Sequence, residues 1–81
     1  MKVRFGAFSF DPETRQLARG ATELHLTPKA FDLLTVLVER APRVVTKAEL
    51  HQHLWPRTFV SDSSLVALVK ELRRVMAKRR Y

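Results

Sequence analysis

The sequence predicts an α+β domain, a four-stranded antiparallel sheet followed by three helices, on three observations. The first 26 residues alternate apolar and polar side chains in short runs. The apolar period becomes helical after Leu26, and start and stop residues then divide the remainder into three segments.

Val3 and Phe5, then Phe8 and Phe10, give two short strands broken at Gly6. Asp11-Pro12-Glu13-Thr14 has the composition of a turn. Gln16 to Arg19 and Thr22 to Leu26, divided by Gly20-Ala21, complete a sheet over residues 3–26. Thr27 is then a good N-cap, and Pro28 suits the first helical position, where an N–H would have no partner. Phe31, Leu34, Leu37 and Val38 recur at helical spacing, with Leu33 widening the stripe, so a helix is expected over about 28–40. Pro42 stops it. Arg43-Val44-Val45 is a short extended piece leading to Thr46-Lys47-Ala48-Glu49, a Thr-x-x-Glu capping box that opens a second helix over about 47–54. Trp55-Pro56 ends that helix, and the segment after it leads to Ser61-Asp62-Ser63-Ser64, where a hydroxyl or carboxylate can cap a third helix over about 62–78.

At about 100° per residue, positions 65, 68, 69, 72, 75 and 76 of that third helix fall within an arc of roughly 120°. One face is therefore core. The opposite face carries Ser63, Ala67, Lys70 and Arg74, flanked by Val66, Arg73 and Ala77, with Glu71 nearer the other border.

The chain of 81 residues has 15 Lys/Arg against 8 Asp/Glu and no cysteine. One small domain fits that length, and an elaborate enzyme does not. The absence of cysteine excludes disulfides, thiolate zinc sites and a cysteine nucleophile. Residues 1–69 hold nine Lys/Arg and seven Asp/Glu, whereas residues 70–81 hold six and one. A basic excess gathered at one end is the footprint of a polyanion ligand, most often nucleic acid, since neutralising phosphates releases counterions. Lys2 and Arg4 are followed by no apolar leader, and Leu33-Leu34-Thr35-Val36-Leu37-Val38 is too short to span a bilayer. A cytoplasmic location without a membrane partner is expected.

Other chemistry finds little support. His51 and His53 lie two apart on a helix and point to different faces, and His25 falls in the sheet region, so no metal site is expected. Ser61, Ser63 and Ser64 have no general base placed by any motif, and two glycines leave little for a phosphate-cradling loop. Neither catalysis nor a cofactor is expected. Phe5, Phe8, Phe10 and Phe31 could stack single-stranded bases, but packing of sheet on helix accounts for them better. Trp55 is read as core.

Several motifs together carry a family resemblance. Leu26-Thr27-Pro28-Lys29-Ala30-Phe31-Asp32-Leu33-Leu34, Arg43-Val44-Val45-Thr46-Lys47-Ala48-Glu49-Leu50, Leu54-Trp55-Pro56 and Val60-Ser61-Asp62, with Val3 to Asp11 at the start, resemble the winged-helix effector domain of OmpR/PhoB-type transcription regulators. The resemblance runs in unbroken order over about residues 3–76. It implies sequence-specific binding of double-stranded DNA in bacterial transcription regulation, with the third helix in the major groove and the second crossing the backbone. Carried over by position, Thr46 or Lys47 and Ser63 and Ser64 match phosphate-contacting places, while Ala67, Lys70, Glu71 and Arg74 fall on or beside the base-reading surface. Arg73 and Lys78 add cations to that surface. The loop 56–61 matches a segment that in several relatives touches RNA polymerase.

Two departures from the pattern stand out. Family members with receiver domains usually carry consecutive basic residues where this sequence has Lys70-Glu71, and a carboxylate there either accepts from cytosine N4 or repels phosphate. The family also continues past the third helix into a β-hairpin, the wing, whereas this sequence stops at Tyr81. The fold expected is thus winged-helix-like with the wing missing. An uncovered strand at 43–45 would then present an edge that recruits a second copy, giving a homodimer, or the domain would be less stable and bind DNA weakly. The rival reading is a protein-interaction or dimerisation module that keeps the fold with DNA binding lost or weakened.

Overall fold

Four strands and three helices follow one another in the computed structural model, which describes residues 2–77. The strands β1 (Val3–Phe5), β2 (Phe8–Asp11), β3 (Gln16–Arg19) and β4 (Thr22–Leu24) pair antiparallel in chain order. The helices are α1 (Pro28–Arg40), α2 (Lys47–Leu54) and α3 (Asp62–Met76).

Two of the three hairpins turn on a glycine. Gly6 and Gly20 each open a two-residue loop with φ of +59° and +60°, the positive angle such turns need at their first position. In the third, Asp11 Oδ1 accepts from the N–H groups of Glu13 and Thr14 at 3.0 and 3.4 Å, and Arg15 takes the left-handed position. The register aligns Val3, Phe10, Leu17 and Leu24 across the sheet on one face. That face meets α1, where the Phe10 and Phe31 rings stand 4.9 Å apart. These four phenylalanines are therefore committed to packing: Phe10 and Phe31 are buried, and Phe5 and Phe8 lie partly buried against the core.

Leu33 and Leu34 of α1, Leu50 and Leu54 of α2, and Leu65 and Leu72 of α3 complete one apolar core, with Trp55 partly buried at its edge. Leu37 shares the expected stripe but sits in the last turn of α1, where it stays 36% exposed. Thr27 caps α1 as expected, and Ala41, extended ahead of Pro42, ends it. Thr46 and Glu49 form the full capping box of α2.

Three expectations need correction. Ser61 is the N-cap of α3 and forms no side-chain cap bond, its Oγ lying 2.7 Å from Ser63 Oγ instead; Ser63 and Ser64 already belong to the helix and do not cap it. The helix stops at Met76 with Ala77 as its C-cap, short of 78. No strand forms at 43–45: the segment pairs with no ladder partner among the described residues, and a strand exists only as part of a pair. Among the described residues no strand follows α3, and no helix is long and apolar enough to cross a membrane.

Candidate nucleic-acid interface

The solvent side of α3 is set by the burial of its other side. Leu65 and Leu72 are nearly inaccessible, and the helical period then turns Ser63, Val66, Ala67, Lys70, Arg73 and Arg74 outward, where all are exposed. The result is a face that is small and apolar at its N-terminal half and cationic at its C-terminal half. Lys70, Arg73 and Arg74 make no ion pair among the described residues, whereas Arg15, Arg40, Arg43 and Lys47 each approach a carboxylate. Val66, 47% exposed among charged neighbours, belongs to this face although the sequence marks it only as a flank.

The start of α2 lies beside the start of α3. Lys47 Nζ donates to Asp62 Oδ2 at 3.3 Å, and His51 Nε2 lies 3.1 Å from Asp62 Oδ1. The Lys47 ammonium, by hydrogen bond and by charge, holds the Asp62 carboxyl below its usual value, with the His51 contact adding to it. Lys47 and Asp62 are both largely exposed, so their bridge is weak and does not withhold Lys47 from a stronger anion. Thr46 is exposed, but its hydroxyl and N–H are engaged with Glu49. Lys78 lies outside the described residues.

Glu71 departs from the outward set. Its Oε2 accepts from the Thr27 N–H and its Oε1 from the Thr27 hydroxyl, both at 2.8 Å, so the carboxylate is drawn across to the start of α1. Ser64 falls on the same border of α3 and, like Glu71, is only partly exposed. Sequence reading missed this Thr27–Glu71 pair and the His51–Asp62 pair, because no local pattern announces a bond between residues on different elements.

Beyond the helices, the loop 56–61 overhangs a surface hollow of about 510 Å³ lined by His51, Trp55, Pro56, Phe59 and Val60 among others. Phe59 is fully exposed. Among the described residues no group of three His, Asp or Glu is placed to hold a metal ion.

A family model described as "Transcriptional regulatory protein, C terminal" matches residues 21–81. The response regulator MprA of Mycobacterium tuberculosis is 35% identical over 75 residues, which is 91% of this chain and 33% of MprA. The transcriptional activator CadC of Escherichia coli is 29% identical over 72 residues, 89% of this chain and 14% of CadC. The chain thus spans a third or less of the length of these relatives. Among solved structures, the Klebsiella pneumoniae RstA DNA-binding domain, determined in complex with the RstA box, superposes with a TM-score of 0.83 at 25% identity, covering 96% of this chain and 78% of that one. The DNA-binding domain of E. coli CadC superposes with a TM-score of 0.77 at 28% identity, covering 88% and 66%. By this match over most of its length, together with the order of four strands and three helices, the chain belongs to the OmpR/PhoB-type family of transcriptional regulatory C-terminal domains.

Proposed function

We propose that this chain binds double-stranded DNA with sequence preference, as the recognition part of a bacterial transcription regulator, with α3 in the major groove. The observation that carries this reading is the outward face of α3, where exposed Lys70, Arg73 and Arg74 have no carboxylate partner among the described residues. A groove about 12 Å wide admits one helix with its side chains, and cations along that helix reach both base edges and phosphates. Ser63, Ser64 and Ala67 let the N-terminal half approach closely, while Thr46 and Lys47 at the start of α2 lie where the flanking backbone would pass. Family membership and the DNA complex of RstA support the same reading.

Two finer assignments are proposed beside it. The loop 56–61, with Phe59 fully exposed, is assigned to contact with RNA polymerase, and the segment 43–45, with Val44 83% exposed, to contact with a second copy.

The test is fluorescence anisotropy of labelled mixed-sequence duplex at several salt concentrations, for the unmodified chain and for Lys70→Ala/Arg74→Ala. Binding should fall steeply with salt. The double variant should bind more weakly, with a log–log slope shallower by up to about 2, since each phosphate left unneutralised takes about 0.9 from the slope. A folded sample that shifts no duplex at low salt overturns the reading in favour of a protein-interaction module.

A further inference from the structure

Thr27 is the N-cap of α1, and its hydroxyl accepts from the Ala30 N–H at 3.4 Å. The side chain at the third helical position ordinarily reaches back to the N-cap N–H, but in α1 that position is Ala30, whose methyl group cannot accept a hydrogen bond. The missing carboxylate arrives from α3. Glu71, 44 residues away, takes the Thr27 N–H on Oε2 and the Thr27 hydroxyl on Oε1, each at 2.8 Å. The hydroxyl thus donates to Glu71 while it accepts from Ala30, one relay across two helices.

We propose that Glu71 is a positioning residue for DNA recognition: its two bonds to Thr27 fix the roll of α3 and with it the aim of Lys70 and Arg74. The proposal rests on the DNA-binding reading of α3.

Apolar packing through Leu65 and Leu72 holds α3 against the core but restrains its rotation only loosely, since apolar contacts have no preferred direction. Two hydrogen bonds from one carboxylate to two atoms of one residue are directional. Lys70 and Arg74 flank Glu71 on the same helix, so any roll that stretches these bonds swings both cations by the same angle. With side chains about 5–6 Å from the helix axis, a roll of about 15° moves their base by about 1.5 Å, enough to break a base contact. The same bonds turn the negative charge of Glu71 toward the positive end of α1 and away from the face that meets phosphates.

The experiment measures affinity of Glu71→Ala, Glu71→Gln, Thr27→Ala and Thr27→Ser, singly and as Glu71→Ala/Thr27→Ala, for two duplexes. One is selected by the unmodified chain from a random library, and the other is unselected. Binding is read well below each variant's unfolding temperature, so that loss of stability alone does not register.

Glu71→Ala should weaken binding to the selected duplex by about three- to tenfold, although it removes a negative charge that simple electrostatics would have strengthened binding by removing. The unselected duplex, held by phosphates, should change less, so the ratio between the two falls. Thr27→Ala should act in the same direction and the double variant should be no weaker than Glu71→Ala, while Thr27→Ser keeps the hydroxyl and binds as the unmodified chain. Glu71→Gln retains one good acceptor and should fall between. Equal or tighter binding by Glu71→Ala, or additive effects of the two alanine substitutions, overturns the proposal while leaving DNA binding standing. Failure of the unmodified chain to bind any duplex overturns the DNA reading and this proposal together.

Discussion

The N-termini of α1 and α2 face the same requirement and meet it differently. Each begins with a threonine cap whose N–H and hydroxyl need partners. In α2 the partner is Glu49, three residues on, and the whole box lies within four consecutive residues. In α1 the partner is Glu71, brought across by the docking of α3. The whole α2 cap is consequently available to an isolated peptide, whereas in α1 only the Thr27–Ala30 bond is local and the Glu71 part exists only in the folded domain, where it reports that α3 is in place. This difference matters for recognition, because the residue that completes α1 stands between the two cations proposed to meet DNA.

The comparison breaks most completely if α3 loses its seat. Leu72, one residue past Glu71, is only 8% exposed, and Leu72→Ala should cost about 2–5 kcal/mol through the apolar burial removed and the cavity left behind. Urea denaturation followed by circular dichroism measures the cost. Amide exchange under native conditions adds the contrast: the Thr27 N–H should lose protection in this variant far more than the Thr46 N–H, whose acceptor is local. Equal loss at both would mean that the two caps are not independent.

A smaller change sharpens the comparison. Thr46→Ala removes a local cap and should cost about 1 kcal/mol, within the range of 0.5–2 kcal/mol typical of such caps. Thr27→Ala removes the equivalent hydroxyl, whose bond to Glu71 at 2.8 Å is shorter than the 3.3 Å bond of the Thr46 hydroxyl to Glu49 and also ties α1 to α3, so it should cost more than Thr46→Ala in the same thermal denaturation series. A smaller loss at Thr27 than at Thr46 would show that the long-range partner adds nothing to α1.

The same contrast explains what was legible in the sequence. Both α1 and α2 coincide with the expected 28–40 and 47–54, because Thr27-Pro28, Pro42, the Thr46–Glu49 box and Trp55-Pro56 are signals contained within a few residues. The four strands were also readable from Gly6, Gly20 and the alternation of apolar residues, although β4 ends at Leu24, short of the expected Leu26. The outward face of α3 followed from helical period alone. What stayed hidden joins residues remote in sequence: Glu71 with Thr27, Asp62 with Lys47 and His51, and Lys29 Nζ donating to the Leu54 carbonyl at 2.7 Å at the far end of α2. Glu71 illustrates why. Its helical angle placed it on the border of the outward surface of α3, and whether a long side chain on a border turns out or across depends on a neighbour that no window of the sequence contains.

The smallest expected effect is that of acid, and it titrates the local side of the comparison. The Thr46 N–H is the main reason the Glu49 carboxyl titrates below its ordinary 4.5; its burial opposes the shift, and Arg43, the Thr46 hydroxyl and Arg40 assist it. Asp62, whose ordinary value is 3.8, is lowered chiefly by Lys47. A carboxyl lowered in the folded state contributes stability that is fully present above its unfolded value and is lost as pH falls through its folded one. Stability should therefore hold from neutral pH down to about 5 and then decline through and below the usual carboxylate range, as those two groups take up protons. Both groups are solvent-exposed, so the decline should be modest. Urea midpoints taken between pH 7 and pH 2 would show it, and Glu49→Gln and Asp62→Asn should each flatten the acid limb while lowering the neutral plateau. Unchanged pH dependence in both variants would mean that neither the α2 box nor the α2–α3 junction draws stability from charge, leaving the directional bonds of Thr46 as the whole of the cap.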